Sequence, residues 1–459
     1  MRLVPTIAVI CALLAAGAAC ANDGEPERLQ VGVVSDIHLG NNPGKKEVFV
    51  RVLRFFRERN VDAVMIPGDM TDFATAKEWQ RVADAWREVF PDDKAPDGHV
   101  VERLFVTGNH DCGRADLSEI WRESFHETYA PIWIKTVKGY VFTGAQWGAT
   151  GDLARFYKEH ASSFGGDKPF FHVQHAHPHG TCIGDWAWGN EPHATAVLSR
   201  YPNAVAISGH SHYSLTDERS IWQGSFTSVN AGTLSHDCHE YSMHDNARGN
   251  SYSHAVMQPD RLTPDVGTVN GKACMVMTVT ESEIRLERYS FLDPQPLSLG
   301  PDWVIPVGRG APKPYAFTAH AARRSAPAFA PGSAVVCTPC RSTRAPGAGR
   351  SCLKVSFPPA RTVDGCRVFD YEVTASVIED DVALPIKVKR VLAPGYFLPE
   401  GKANLPGLCL FAITDFPAEA CLRFSVRPLE CFGKAGEAIS ADFQFNRTET
   451  CTLKGKDVK

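Results

Sequence analysis

Five short polar motifs follow one another along the first half of this chain, and each contains residue types that bind metal ions. Each motif comes after an apolar run of the kind that forms a buried β-strand. The carboxyl ends of such strands meet at one edge of a sheet, where α/β folds bind their ligands. The sequence therefore predicts a site of carboxylate, imidazole and amide groups. The motifs are Asp36-Ile37-His38, Gly68-Asp69, Gly108-Asn109-His110-Asp111, the pair His175 and His177, and Gly209-His210-Ser211-His212.

Strand-like and helical patterns alternate from residue 29 to about residue 293. Apolar residues recur at helical spacing between residues 45 and 59, and a second helix opens at Thr75, which forms a capping box with Glu78. Residues 192–201 predict a third helix. Two strand-like runs at the end of this region predict a closing hairpin. This alternation is typical of an α/β fold with helices covering a sheet.

The pattern changes after residues 312–333, which are rich in Ala, Pro, Ser and Arg and predict a linker. Short alternating segments separated by Pro, Gly and Asp then predict a smaller all-β sandwich over residues 334–455. This part resembles a fibronectin type III-like module. The predicted strands are residues 353–357, 368–375, 386–392, 408–413, 422–428 and 439–445.

The N-terminus has the features of an export signal. Arg2 is followed by an apolar run over residues 7–14 and by small residues up to residue 21, which predicts a signal peptide over residues 1–21. We therefore expect a periplasmic or secreted protein, with a lipid anchor on Cys20 as the alternative. Eight of the 14 cysteines follow residue 330, and an exported chain of this kind is expected to form disulfide bonds. Their connectivity stays open.

The ordered motifs resemble those of the calcineurin-like metallophosphoesterase superfamily, and within it the exported bacterial phosphodiesterases. That pattern, D-x-H, GD, GNH[DE], a His and GHxH, is complete here. The resemblance implies a four-layer α/β/β/α sandwich over residues 27–300 that holds two divalent or mixed-valence metal ions, Mn, Fe or Zn. It implies a first metal set of Asp36, His38 and His212, a second set of Asn109, His175 and His210, and Asp69 as the bridge between them.

The same resemblance implies a hydrolase that cleaves a small phosphorylated substrate, with a phosphodiester preferred. Two metals activate a bridging hydroxide. His110 would assist the leaving group, and Asp72 or Asp111 would orient its ring. Purple acid phosphatases have a similar pattern but carry Tyr three residues after the GD aspartate. Asp72 occupies that position here and argues against this subclass.

The fourth motif leaves a choice between two histidines. His175 ends an apolar strand, which favours it as the ligand, whereas His177 directly precedes a proline as the family pattern usually requires. Trp147 and His236 are candidates for lining the cleft, although packing is the preferred interpretation for both. For Trp186 and Trp188, between the fourth and fifth motifs, contact with a substrate and packing are equally open.

A different class of function stays open as well. The chain is an exported binding or adhesion protein if the scaffold serves recognition alone, although the complete ligand set with His110 argues against this. The formal net charge of −4 argues against binding of a nucleic-acid polymer. The C-terminal sandwich is a candidate for contact with a cell surface or a glycan. The substrate and the oligomeric state cannot be deduced from the sequence.

Overall fold

The computed structural model describes residues 28–113, 116–182, 191–236, 271–343 and 348–448. Several predictions concern residues outside these ranges: the signal peptide with Cys20, the substrate contacts of Trp186 and Trp188, and any disulfide bond of Cys238 or Cys451. Among the described helices, none has the length and apolar character needed to cross a membrane.

The first part of the chain is a mixed α/β structure. Its helices are α1 Pro43–Glu58, α2 Ala76–Val89, α3 Leu117–Phe125, α4 Leu153–Glu159 and α5 Pro192–Leu198. Its strands are β1 Leu29–Val33, β2 Ala63–Pro67, β3 Glu102–Val106, β4 Ile132–Val137, β5 Tyr140–Ala145, β6 Phe170–Val173, β7 Ala204–Ser208, β8 Ile221–Gln223, β9 Thr227–Asn230, β10 Ala273–Val279, β11 Glu283–Ser290, β12 Leu297–Ser298 and β13 Trp303–Pro306.

These strands form two sheets that pack face to face. The first has the order β12-β11-β10-β1-β2-β3, with β13 also paired to β11, and the second has the order β4-β5-β6-β7-β9-β8. β1, β2 and β3 are parallel, as are β5, β6, β7 and β9. The motif-bearing ends of β1, β2 and β3 in one sheet and of β6 and β7 in the other therefore each lie at a single edge.

Side-chain alternation along the strands produces the layers. Met65 of β2 packs into the core between the sheets, whereas its neighbours Val64 and Ile66 face the core under α1, α2 and α3. On the outer face of the second sheet, α4 and α5 bury Leu153 and Val197. The order of layers is thus helix, sheet, sheet, helix, which confirms the predicted four-layer α/β/β/α fold.

The C-terminal part is all β, as predicted. Its strands are β14 Val336–Arg341, β15 Ser351–Phe357, β16 Asp370–Glu379, β17 Val382–Leu392, β18 Gly407–Ala412, β19 Glu419–Leu429 and β20 Ile439–Asn446. They form antiparallel sheets of order β14-β15-β18 and β17-β16-β19-β20 with a common apolar core. β14 was not among the predicted strands. The likeness to a fibronectin type III module stays a prediction.

The segment predicted as a linker is packed rather than extended. It contains helix α6 Phe317–Arg323, in which His320 is buried, and the following Ser325 N–H donates to the Asp364 carboxylate of the C-terminal sandwich at 2.8 Å. This segment therefore contacts the sandwich that follows it.

The structure does not support the predicted disulfide bonds. The ten cysteines in the described ranges are thiols, including Cys112 beside the third motif and the buried Cys182. All ten are half-buried or buried, and six of them lie within strands, where they contribute to packing as small apolar side chains.

Candidate metal centre

Each of the five motifs occupies the loop that directly follows a strand, and neighbouring loops are tied together by their backbones. The Asp36 N–H donates to the Gly68 carbonyl at 3.2 Å, and the His38 N–H donates to the Asp69 carbonyl at 3.0 Å. Gly68 has φ 93°, and a Cβ on it would lie 2.4 Å from His175 Nδ1. The motif requires glycine here because both the conformation and the space exclude a side chain.

Two groups of buried side chains converge at this edge. The ligand atoms of the first group lie within 4.8 Å of one another, and so do those of the second group. The groups are Asp36, His38, Asp69 and His212 in the first, and Asp69, His175 and His210 in the second. Asn109 joins the second group, since its Oδ1 lies 3.2 Å from His175 Nε2.

Asp69 is common to both groups through a single atom. Its Oδ2 lies 3.6 Å from His38 Nε2 and 3.1 Å from His175 Nε2. The other oxygen, Oδ1, accepts the backbone N–H of His110 at 2.9 Å. One oxygen is therefore anchored to the backbone and the other faces both groups, which is the arrangement of a bridging carboxylate.

The histidine rings are oriented by hydrogen bonds at their outer nitrogens. His212 Nδ1 donates to the His236 carbonyl at 2.9 Å, His175 Nδ1 donates to the Pro67 carbonyl at 2.7 Å, and His38 Nδ1 faces the Asp72 carboxylate at 3.1 Å. Each ring therefore turns Nε2 inward. Partners of this kind on the outer nitrogen are what metal-bound histidines have in proteins.

The inward-facing atoms need a positive charge between them. His38 Nε2 and His212 Nε2 are 3.1 Å apart, and His210 Nδ1 and His175 Nε2 are also 3.1 Å apart. Atoms that are acceptors in neutral imidazole repel at this distance unless a proton or a cation lies between them. The donor set of imidazole, carboxylate and amide, without thiolate, suits Mn, Fe or Zn. The residues present therefore fit two metal ions.

The electrostatics of the cluster agree with this fit. Burial alone would lower the pKa of His175, but the Asp69 carboxylate raises it to about 9. Burial and the neighbouring His175 lower the pKa of His210 to about 4. Burial would raise the pKa of Asp36, but His212 and the other histidines hold it well below its usual range. The buried carboxylates thus attract positive charge, which protons on the histidines or bound metal ions supply.

His110 lies at the exposed rim of this cluster. Its ring is 4.7 Å from that of His38, and its Nδ1 donates to the backbone carbonyl of Asp72 at 2.9 Å. Asp72 was predicted to orient His110, and the structure assigns this contact to its carbonyl rather than its carboxylate. The carboxylate holds His38 instead.

Asp111, the other residue predicted to orient His110, is engaged elsewhere. Its carboxylate accepts the backbone N–H groups of Met70 at 3.1 Å, Thr71 at 2.8 Å and Gly108 at 2.9 Å. It thereby ties the Asp69 loop to the Asn109 loop. Burial and the nearby Asp69 raise the pKa of Asp111 to about 6.

The structure separates the two histidines of the fourth motif. His175 belongs to the second group, whereas both ring nitrogens of the buried His177 lie 2.7 Å from serine hydroxyls, those of Ser208 and Ser211. Burial, with His210 beside it, lowers the pKa of His177 to about 3. His177 therefore packs beneath the cluster as a neutral ring.

Several contacts that shape the centre had no signal in the sequence. The carbonyl of His236 orients His212, and the His236 ring lies 4.3 Å from it. Ser208 and Ser211 engage His177, and Lys45 Nζ donates to the His38 carbonyl at 2.9 Å. Ser211 lies within the fifth motif and His236 is a cleft candidate, but no motif marks these contacts, because they depend on which loops lie side by side.

The four-layer α/β/β/α sandwich holds a buried Asp/His cluster beyond its strand ends. Residues 29–214 match the family model Calcineurin-like phosphoesterase, and this segment is a calcineurin-like metallophosphoesterase domain. A Danio rerio protein described as "Transmembrane protein with metallophosphoesterase domain" is 36% identical over 101 residues. That match covers 21% of this chain and 20% of the relative, so the chain spans about a fifth of the relative's length.

Several solved structures resemble the chain at low identity. A dimetal phosphatase from Danio rerio has a TM-score of 0.37 at 11% identity, over 61% of this chain and 99% of that one. A purple acid phosphatase from yellow lupin (Lupinus luteus) seeds has a TM-score of 0.42 at 13% identity, over 62% of this chain and 54% of that one. At this level of sequence identity and TM-score, the likeness does not indicate a function.

Proposed function

We propose that this domain is a hydrolase of small phosphoesters, with phosphodiesters as the preferred class, and that it works with two metal ions. Asp36, His38 and His212 would hold one ion, and Asn109, His175 and His210 the other, with Asp69 between them. The observation that carries the proposal is the position of Asp69 Oδ2, which faces a histidine of each group. A shared carboxylate keeps two ions close enough to act on one phosphoryl group.

The chemistry divides between the ions and the protein. When bound, two such ions lower the pKa of a water molecule and polarise the phosphoryl oxygens. The protein fixes the geometry through the buried ring contacts described above. His110 donates its Nδ1 proton to the Asp72 carbonyl, so that Nε2 is the ring atom directed toward a substrate. In the doubly protonated ring, the Nε2 proton is placed to pass to the leaving oxygen, which leaves the neutral ring with its proton on Nδ1.

Asp69→Ala tests the proposal. Mutation of a residue that only contacts a metal ligand typically lowers metal affinity or activity 10–100-fold. Loss of a ligand common to both groups should therefore lower activity about 100-fold or more. We expect about two metals per chain in the native protein and clearly fewer in the variant, by elemental analysis. Hydrolysis of phosphodiesters and phosphomonoesters with Mn, Fe and Zn is the activity measurement.

Asp152→Ala is the matched control, because Asp152 pairs with Arg155 on the surface and its side chain is 60% exposed. It should keep native metal content and activity. Full activity in Asp69→Ala would overturn the proposal. A native protein that holds two metals and hydrolyses no ester would favour the binding or adhesion alternative instead.

A further inference from the structure

One aromatic side chain stands beside the candidate metal centre without being packed away. Trp147 follows strand β5, and 37% of it is exposed. Its ring centroid lies 5.7 Å from that of His175 and 5.5 Å from that of His210. Other tryptophans in the described ranges, such as Trp79, Trp86 and Trp303, are buried in the cores. Trp147 therefore contacts two candidate ligands and keeps part of its indole surface open beside the centre.

The position of Trp147 is fixed by hydrogen bonds to the strand end that carries Asn109. The Trp147 N–H donates to Thr107 Oγ1 at 3.1 Å, and the Thr107 N–H donates to the side chain of Gln146 at 2.6 Å. Gln146 is only 1% exposed. These bonds hold the Trp147 backbone against the strand end that leads to Asn109, and the indole lies beside the second group.

The two sides of the centre differ in chemistry. His110 lies beside His38, at the first group, and offers a polar, proton-carrying ring. Trp147 lies beside His175 and His210, at the second group, and offers an apolar, flat face. In a phosphodiester held between the two groups, one substituent leaves on the His110 side, and the second, retained substituent is the one placed toward this indole.

We propose that Trp147 is a specificity-determining residue that binds a planar, apolar substituent of the phosphoester, so that the preferred substrates carry an aromatic or heteroaromatic group. This inference rests on the proposed function for the presence of a phosphoester at the centre. An indole stacks on planar rings more favourably than on small alkyl groups. An aliphatic ester of the same charge gains less from this contact.

The test uses phosphonates, because their carbon–phosphorus bond resists ester hydrolysis and binding is measured apart from turnover. Phenylphosphonate and methylphosphonate present the same head group to the metals and differ only in the planar substituent. Their dissociation constants for the metal-loaded, full-length protein are measured by calorimetry. An aromatic contact of this kind corresponds to a preference of about tenfold for the phenyl compound.

Three variants give the comparison. Trp147→Ala should lower the ratio of the methylphosphonate to the phenylphosphonate dissociation constant to about one. Trp147→Phe should keep most of the preference for phenylphosphonate because a flat ring remains. Val100→Ala, an exposed apolar residue ahead of the opposite end of β3, should leave it unchanged. Metal content and thermal unfolding show whether each variant is folded and loaded.

The outcomes separate this inference from the proposed function. An unchanged preference in Trp147→Ala, or no preference or no phosphonate binding in the native protein, would overturn it. A preference that depends on Trp147 in a protein that hydrolyses no ester would support it as a binding property while the hydrolase proposal fails.

Discussion

At the scale of the residue, the candidate ligands hold uncommon backbone conformations. Positive φ values are rare for residues with a side chain, yet they occur here at Asp36 (52°), His38 (50°), Asp69 (51°), His210 (71°) and His212 (55°). Such conformations cost free energy and persist only where the surroundings enforce them. The backbone bonds between the motif loops enforce them here, and they turn the side chains toward one point.

A glycine beside Asp69 allows a test at this scale. A Cβ on Gly108 would lie 2.1 Å from Asp69 Oδ1, although the backbone of Gly108 suits any residue. We expect Gly108→Ala to displace the Asp69 carboxylate and to weaken metal binding by about tenfold or more. Metal titration followed by thermal unfolding measures both effects.

Gly151→Ala is the control, because a Cβ there meets nothing within 4 Å and the position has no positive φ. It should bind metal as the native protein does. If Gly108→Ala behaved in the same way, the close approach would not constrain Asp69.

At the scale of the element, helix α2 shows how a local signal supports the site. Its first turn is closed by a reciprocal pair of bonds: the Glu78 N–H donates to Thr75 Oγ1 at 3.3 Å, and the Thr75 N–H donates to Glu78 Oε2 at 3.1 Å. The same Glu78 oxygen accepts the Phe73 N–H at 3.1 Å. The cap thus fixes the short segment that follows Asp72, whose carbonyl holds His110.

We expect Thr75→Ala to lower the free energy of unfolding by about 1 kcal/mol, because one N–H of the first turn loses its acceptor. Urea unfolding followed by circular dichroism measures this difference. Thr75→Ser keeps the hydroxyl and should retain most of the stability. Equal stability of Thr75→Ala and the native protein would show that the cap contributes nothing.

At the scale of the whole molecule, one buried carboxylate connects the metal-site loop with the segments that lead to the C-terminal sandwich. Glu218 lies six residues after His212, and it contacts Arg288 of β11 at 3.0 Å, His320 of α6 at 3.1 Å and Arg324 at 3.3 Å. Arg324 in turn contacts Cys366 in the sandwich. The segment that follows the fifth motif is therefore held by ion pairs to residues nearer the C-terminus.

Burial would raise the pKa of Glu218, but Arg288, His320 and Arg324 hold it well below its usual range. A carboxyl group whose pKa is lower in the folded state stabilises the fold above its unfolded pKa, and this stabilisation is lost as the pH falls through the folded value. Glu218→Gln leaves two buried guanidinium groups facing a neutral amide. We expect the variant to have a free energy of unfolding roughly 3 kcal/mol below that of the native protein at pH 7. This difference should stay the same down to about pH 5 and become smaller in stronger acid.

Urea unfolding at several pH values measures this dependence. Glu372→Gln is the control, because Glu372 pairs with Arg427 at the surface of the sandwich, where an ion pair contributes little. If the difference in unfolding free energy between Glu218→Gln and the native protein did not become smaller in acid, the stabilisation would not come from the charge of the carboxylate.

The sequence by itself determined the fold class and the elements that local patterns encode. The α/β order, helices α1, α2 and α5, the hairpin of β10 and β11, and six of the C-terminal strands follow from hydrophobic period, capping and turn residues. The motifs also placed each candidate ligand after a strand, since a strand end is a local feature.

Only the tertiary structure decided which of these groups meet. His175 and His177 are two residues apart, and the sequence pattern leaves both open. The pairing of β6 with β7 places His175 beside Asp69 and His177 against two serines. Trp147 and Glu218 acquire their roles from residues distant in sequence. Periodicity reports what a residue does within its own element, whereas these contacts depend on how separate elements pack.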